Sequence, residues 1–170
     1  MDSKLTLFSQ IISKIDRVIF KKIVKEKKTD YRNKGFDSWT HLVSMLFCHF
    51  AKSTSVRDIS NGLRSATGNL NHLGIKTAPS KSSISYQNGK RDADLFKDLY
   101  FILLEHLGQH TKQKRVKLKI KVPVYLLDST LISLCLSLFD WATYRTKKGA
   151  VKMHTLLEYD GKLPVYVNIT

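Results

Sequence analysis

Residues 122–130 read Val-Pro-Val-Tyr-Leu-Leu-Asp-Ser-Thr, and the class of the fold turns on them. From Val122 to Leu127 apolar side chains occupy both alternating faces, the pattern of a central strand buried on both sides. Two further strands are expected over Val151–Tyr159 and Leu163–Ile169, with Asp160-Gly161 between them as a hairpin turn. Upstream, Lys112, Lys114, Arg115, Lys117, Lys119 and Lys121 crowd a stretch that reads as a linker or as the approach to an edge strand. The chain therefore divides into residues 1–111, a basic linker over 112–121, and a strand-bearing part over 122–170.

The first part reads as helices. Phe8, Ile12, Ile15, Ile19 and Ile23 step by three or four and form one apolar stripe. Lys21, Lys22, Lys25, Lys27 and Lys28 gather at the end of that stretch, where cations complement the helix dipole. A second helix is expected from Asp37 or Ser38, burying Trp39, Leu42, Val43, Leu46, Phe47 and Phe50. A third begins at Ser55, which with Asp58 fits a capping box. Thr67 to Pro79 reads as a loop, Ser80 caps a short helix ending near Asn88-Gly89, and a longer helix runs from Asp92 or Asp94 to about Gly108. The fold class is α+β.

The 170 residues carry 29 Lys and Arg against 14 Asp and Glu, a formal net charge of +15. Self-repulsion on that scale destabilises a compact chain, so a polyanionic partner is implied. Nucleic acid fits best, ahead of an anionic membrane or a ribosome. Hydrophobic residues make up 42% of the chain, which excludes a disordered tail. Cys48 and Cys135 lie far apart in apolar runs and read as small buried hydrophobes of a reducing cytosol. His41 and His49 have no zinc spacing. Apolar residues near the N-terminus alternate with Asp16, Arg17, Lys21 and Lys22, so neither a signal peptide nor a membrane span is expected. The expected compartment is the bacterial cytoplasm, in association with the nucleoid.

Asp128 carries the chemical question. An ionised carboxylate in a buried strand costs several kcal/mol unless it is paired, hydrogen-bonded or bound to metal. Metal binding or acid–base work is one reading. A turn cap, accepting bonds from the amides after Ser129, is the other. The basic residues divide in the same way: Arg145, Lys147, Lys148 and Lys152 either contact DNA phosphates or solvate a turn. The helices starting at Ser55 and Ser80 suggest a helix-turn-helix variant whose second helix offers Ser82, Ser83, Ser85, Tyr86, Gln87 and Lys90, with Arg91 just beyond, to phosphates and base edges. The connection between them is longer than the usual turn.

The stretch beyond Asp128 is more specific. Leu131-Ile132-Ser133-Leu134-Cys135-Leu136-Ser137-Leu138-Phe139 is an apolar connector meeting Trp141, and Lys148-Gly149-Ala150-Val151-Lys152-Met153-His154-Thr155 lies beyond it. Asp-Ser-Thr at a strand end, this connector and the Lys-Gly-Ala-Val-Lys-Met-His-Thr strand together resemble the start of the ribonuclease-H-like catalytic domain of the IS-four family of DDE insertion-sequence transposases. The resemblance runs from Asp128 through Thr170, with Asp140 standing where a Pro is expected. The helical front half also resembles the N-terminal domain of many members.

The resemblance implies a DNA transposase. Asp128 would be the first of two Asp and one Glu holding two Mg2+ or Mn2+ ions about 3.5–4 Å apart for in-line phosphoryl displacement. It implies double-stranded transposon ends as partner, with a second copy or a full-length transposase as further partners. The second Asp and the Glu lie downstream in the family, and Glu158 and Asp160 belong to a strand and its turn. The expectation is therefore a shortened transposase with an incomplete ribonuclease-H-like domain. Such a chain would bind DNA without cutting it, and need hold no metal by itself. Two rivals stand beside it: a basic DNA-binding regulator acting without catalysis, and a structural RNA-binding protein.

Overall fold

The computed structural model describes residues 7–33, 35–66, 70–110, 122, 124–134, 143–144, 148–159 and 163–170. The chain forms two compact units, residues 1–99 and 100–170. The architecture is α+β, with helices first and an antiparallel sheet after them.

The first unit opens with two helices where the apolar stripe predicts one: α1, Leu7–Ser13, and α2, Arg17–Lys27. Asp16 makes the break. Its carboxylate accepts from the Val18 and Ile19 amides at 2.7 and 3.3 Å, capping α2 and satisfying donors that a continuous helix would have used differently. Ile12, Phe20 and Ile23 point into the core, so the helices still share one apolar face. Lys28 ends α2 in the left-handed region, with φ of 53°.

Helix α3, Ser38–Phe50, starts at Asp37, whose carboxylate accepts from the Thr40 amide at 2.7 Å. It is the most deeply buried helix of the unit, with Trp39, Leu42, Val43 and Cys48 in the core. Helix α4, Val56–Ser65, is capped by Ser55, which accepts from the Asp58 amide at 3.1 Å. Asp58 reaches back one residue further than a capping box requires, taking the amide and hydroxyl of Thr54. The expected loop after α4 is not featureless. A short 3-10 turn over Leu70–Leu73 is followed by Gly74 at φ of 71°, and Trp39 Nε1 donates to the Leu73 carbonyl at 2.8 Å. Arg17 donates to the Gly74 carbonyl and lies over the Trp39 ring, 4.7 Å from its centroid. The linking segment is thus fastened to α2 and α3. Ser60 of α4 donates to the Pro79 carbonyl at 2.8 Å and sets the entry of α5, Lys81–Lys90. Helix α6, Asp94–His110, buries Leu95 and Leu99.

The second unit holds the sheet: β1, Tyr125–Leu134; β2, Thr143–Tyr144; β3, Lys148–Glu158; and β4, Pro164–Ile169. All pairings are antiparallel, and β3 pairs with each of the other three. The β1–β3 ladder is unbroken from Tyr125 opposite Glu158 to Leu134 opposite Gly149. The β3–β4 ladder carries an irregularity at Leu156/Leu157.

Three sequence expectations change here. First, β1 does not stop before Asp128; it continues through Leu134, so much of the supposed connector is strand, and residues 135–142 lie outside the described ones. Second, the described residues do not cover β1 on both sides. Among the described residues it pairs with β3 alone, and Leu127 is 75% exposed, with Tyr125, Leu126 and Leu131 also open. Apolar residues on both faces state what a strand can bury, and burial needs a layer on each face. Third, β2 is not expected from the sequence. The hairpin turn at Asp160-Gly161 and the linker over 112–121 fall outside the described residues.

Candidate functional site

Helix α5 presents the first set of candidates. Its N-cap, Ser80, accepts from the Ser83 amide at 3.1 Å, and the two hydroxyls lie 2.9 Å apart. Ile84 is fully buried and fixes the inner face. Helical spacing then turns Ser82, Ser85 and Tyr86 outward along one stripe. Tyr86 is 60% exposed; Lys90, one turn on, donates to its hydroxyl at 2.8 Å and sits 5.1 Å from the ring centroid. Ser82, Tyr86 and Lys90 can meet a polyanion without rearrangement. Ser83 is engaged in the cap.

Arg91 faces the other way. Its side chain is 1% exposed, where the sequence pattern assigns it to DNA. Nη2 donates to the Phe36 carbonyl at 2.9 Å and lies 3.5 Å from Asp30 Oδ1. Asp30 also accepts from the amide and hydroxyl of Ser38, both at 2.8 Å. The guanidinium thereby ties the end of α5 to the α2–α3 connection, and it is drawn inward because a fixed carboxylate and a carbonyl await it there. Beside it His41 is buried between Phe36 and Phe96, with centroids 5.5 and 5.4 Å away. Burial first, and the Arg91 charge second, push the His41 pKa down to about 4, while the Asn88 side chain pulls the other way. His41 is a neutral core residue.

The end of α5 borders an open cleft of about 590 Å³. Its second wall comes from Lys28, Tyr31 and Arg32 in the α2–α3 connection. Sequence pattern alone assigns Lys27 and Lys28 to dipole compensation and gives Tyr31 and Arg32 no role. The pairing of Tyr31 with Arg32 just after Lys27-Lys28 is the signal that could have marked them.

Asp128 sits in the middle of β1, opposite Thr155 of β3. Its side chain is open to solvent rather than buried, so the desolvation cost expected from the sequence does not arise. Thr130 Oγ1 donates to Asp128 Oδ2 at 2.8 Å. That bond, and next a backbone bond from Ser129, hold the carboxyl below the usual carboxylate range, so it is ionised at neutral pH. Opposite residues of an antiparallel pair share a face, which places Asp128, Thr130 and Thr155 together. Thr155 is buried, and its Oγ1 has no hydrogen-bond partner.

These oxygens are of the kind that Mg2+ or Mn2+ takes, and the orphaned Thr155 hydroxyl beside an ionised carboxylate is compatible with such an ion. Among the described residues, however, no group of three His, Cys, Asp or Glu side chains could hold a metal. Asp128 is the one carboxylate on this face of the described β1–β3 ladder.

Lys152 lies opposite Leu131, out of step with Asp128 by an odd number of positions, and so occupies the other face of the sheet. His154 shares that face and lies 3.3 Å from Thr170 Oγ1. Lys148 is a strand residue of β3 that pairs with Tyr144. Arg145 and Lys147 lie outside the described residues. The basic cluster expected near Asp128 thus places its one exposed, described member, Lys152, on the far face.

Residues 3–76 match the model of a domain of unknown function, DUF4372. The N-terminal part of the chain therefore carries a domain found in transposase-like proteins. The match spans α1 to the segment beyond the 3-10 turn and stops short of α5. No curated protein and no solved structure matches the chain. No described helix is long and apolar enough to cross a membrane.

Proposed function

We propose that the protein acts in DNA transposition as a DDE-type insertion-sequence transposase of the IS-four family. In this reading the helical unit binds double-stranded transposon ends, and Asp128 contributes the first metal-binding carboxylate of a ribonuclease-H-like strand-transfer site. The observation that carries it is Asp128 itself: an ionised, solvent-open carboxylate mid-strand in an antiparallel ladder, within Asp-Ser-Thr. The +15 charge and the N-terminal domain support the same reading.

When bound, divalent metal would stabilise the attacking and leaving oxygens of a phosphoryl displacement. Asp128 would hold it, and the Thr130 hydroxyl keeps that carboxylate ionised and oriented. A single described carboxylate does not complete a two-metal site, so the chain alone is expected to bind DNA and leave it uncut. A basic DNA-binding regulator without catalysis is the second reading, favoured by the lack of a three-ligand cluster among the described residues.

Binding of labelled duplex DNA and of RNA, with plasmid nicking in Mg2+ or Mn2+, tests this. Salt-dependent duplex binding with an intact plasmid is the expected result. Absent duplex binding, or a preference for RNA, overturns the DNA-binding reading. Metal-dependent nicking that survives Asp128→Ala overturns the role of Asp128.

A further inference from the structure

The cleft at the end of α5 is built from two distant stretches of sequence. Lys28, Tyr31 and Arg32 line it from one stretch, and Tyr86, Lys90 and Arg91 from the other. Each tyrosine is paired with a cation: Arg32 lies 5.2 Å from the Tyr31 ring centroid, and Lys90 stands 5.1 Å from that of Tyr86. Tyr31 is 71% exposed.

Helix dipoles explain part of this charge. Both α2 and α5 end at the cleft, and their carbonyl ends favour cations. Lys27, in the last turn of α2, is further bonded to Asp98 at 2.9 Å. Neither account reaches Arg32, which lies beyond the helix. Against the cations the lining offers one carboxylate, Asp92.

The charge balance of the lining points to an anion. Among the described residues Lys28 and Arg32 are in no ion pair, and Lys90 contacts only the Tyr86 hydroxyl and ring. Arg91 is not one of these cations, because its guanidinium is turned inward to Asp30 and the Phe36 carbonyl. A concave surface lined mainly by cations concentrates positive potential in the space it encloses.

We infer that this cleft is a phosphate-binding site for the backbone of duplex DNA, with Lys28 and Arg32 as contacts beyond those of α5. The inference rests on the DNA-binding reading above and extends it: the backbone is gripped at the C-terminal end of α5, between two walls. Phosphate contacts of this kind set register and supply salt-dependent affinity without reading sequence.

The test is binding of a labelled DNA duplex of arbitrary sequence to the full chain, by anisotropy, across a range of salt concentrations. Lys28 and Arg32 both lie in the left-handed region, at φ of 53° and 57°, which Asn tolerates. Lys28→Asn/Arg32→Asn therefore removes both charges without forcing the backbone. Removing two phosphate contacts lowers the slope of log affinity against log salt by about 1.8. Lys28→Arg/Arg32→Lys keeps the charges and is expected to restore the slope. Wild-type slope in the Asn variant overturns the cleft while leaving duplex binding by α5 intact. Absence of duplex binding by the wild type overturns both. A fall in slope that the charge-keeping variant does not restore assigns the loss to distorted backbone and also overturns the inference.

Discussion

Acidification should unfold this protein through His41 earlier than its surface carboxylates require. The ring lies between Phe36 and Phe96 with the Arg91 guanidinium nearby, and its pKa falls from 6.5 to about 4. The unfolded chain therefore binds more protons than the folded one across that window, and stability falls as pH falls through it. Each pH unit inside the window is worth about 1.4 kcal/mol. Between about pH 7 and about pH 5 the loss attributable to His41 comes to about 2 kcal/mol, a large share of a domain stability of about 5–15 kcal/mol. His41→Phe keeps an aromatic ring between the two phenylalanines and removes the titration. Urea unfolding of both proteins at the two pH values isolates the term, because carboxylates titrate alike in each. Wild type should lose about 2 kcal/mol more than the variant on acidification. Equal losses would refute the picture of a neutral, buried His41.

Three further outcomes rest on named contacts. Arg91→Ala strands Asp30 and frees the Phe36 carbonyl; a loss of about 3 kcal/mol is expected in urea unfolding. Gly74→Ala places a Cβ against the Arg17 guanidinium at a left-handed position, and should cost at least about 1 kcal/mol in the same measurement while unseating Arg17 from Trp39. Asp128→Asn, at an exposed position, should change stability by no more than about 0.5 kcal/mol in urea unfolding and leave duplex binding by the helical unit unchanged.

The helical unit was legible because its signals are local. Asp37, Ser55 and Ser80 cap helices where a polar residue precedes an apolar periodic run, and all three do so in the structure. Asp16 is hidden from a sequence reading because Phe8 to Ile23 keeps helical spacing across the break, so periodicity conceals the cap. The sheet was legible in number of long strands but not in extent. Asp128 and Ser129 interrupt an apolar run and read as a strand end, whereas pairing with Thr155 and His154 carries β1 straight through them. Burial of Asp128 depends on what covers β1, which the composition of β1 cannot express. The inward turn of Arg91 was invisible because its partners, Asp30 and Phe36, are more than fifty positions away. The cleft is non-local in the same way.

The uncovered apolar side chains of β1 bear on handling as much as on catalysis. Tyr125, Leu126, Leu127 and Leu131 lie exposed along a ten-residue strand whose described ladder engages β3 alone. A long outer strand of that composition is a template on which another chain can add in register. At high concentration, association of this protein should begin at β1. Placing a lysine at Leu127, the most open of the four, should suppress self-association while leaving Asp128 and its ladder partner in place.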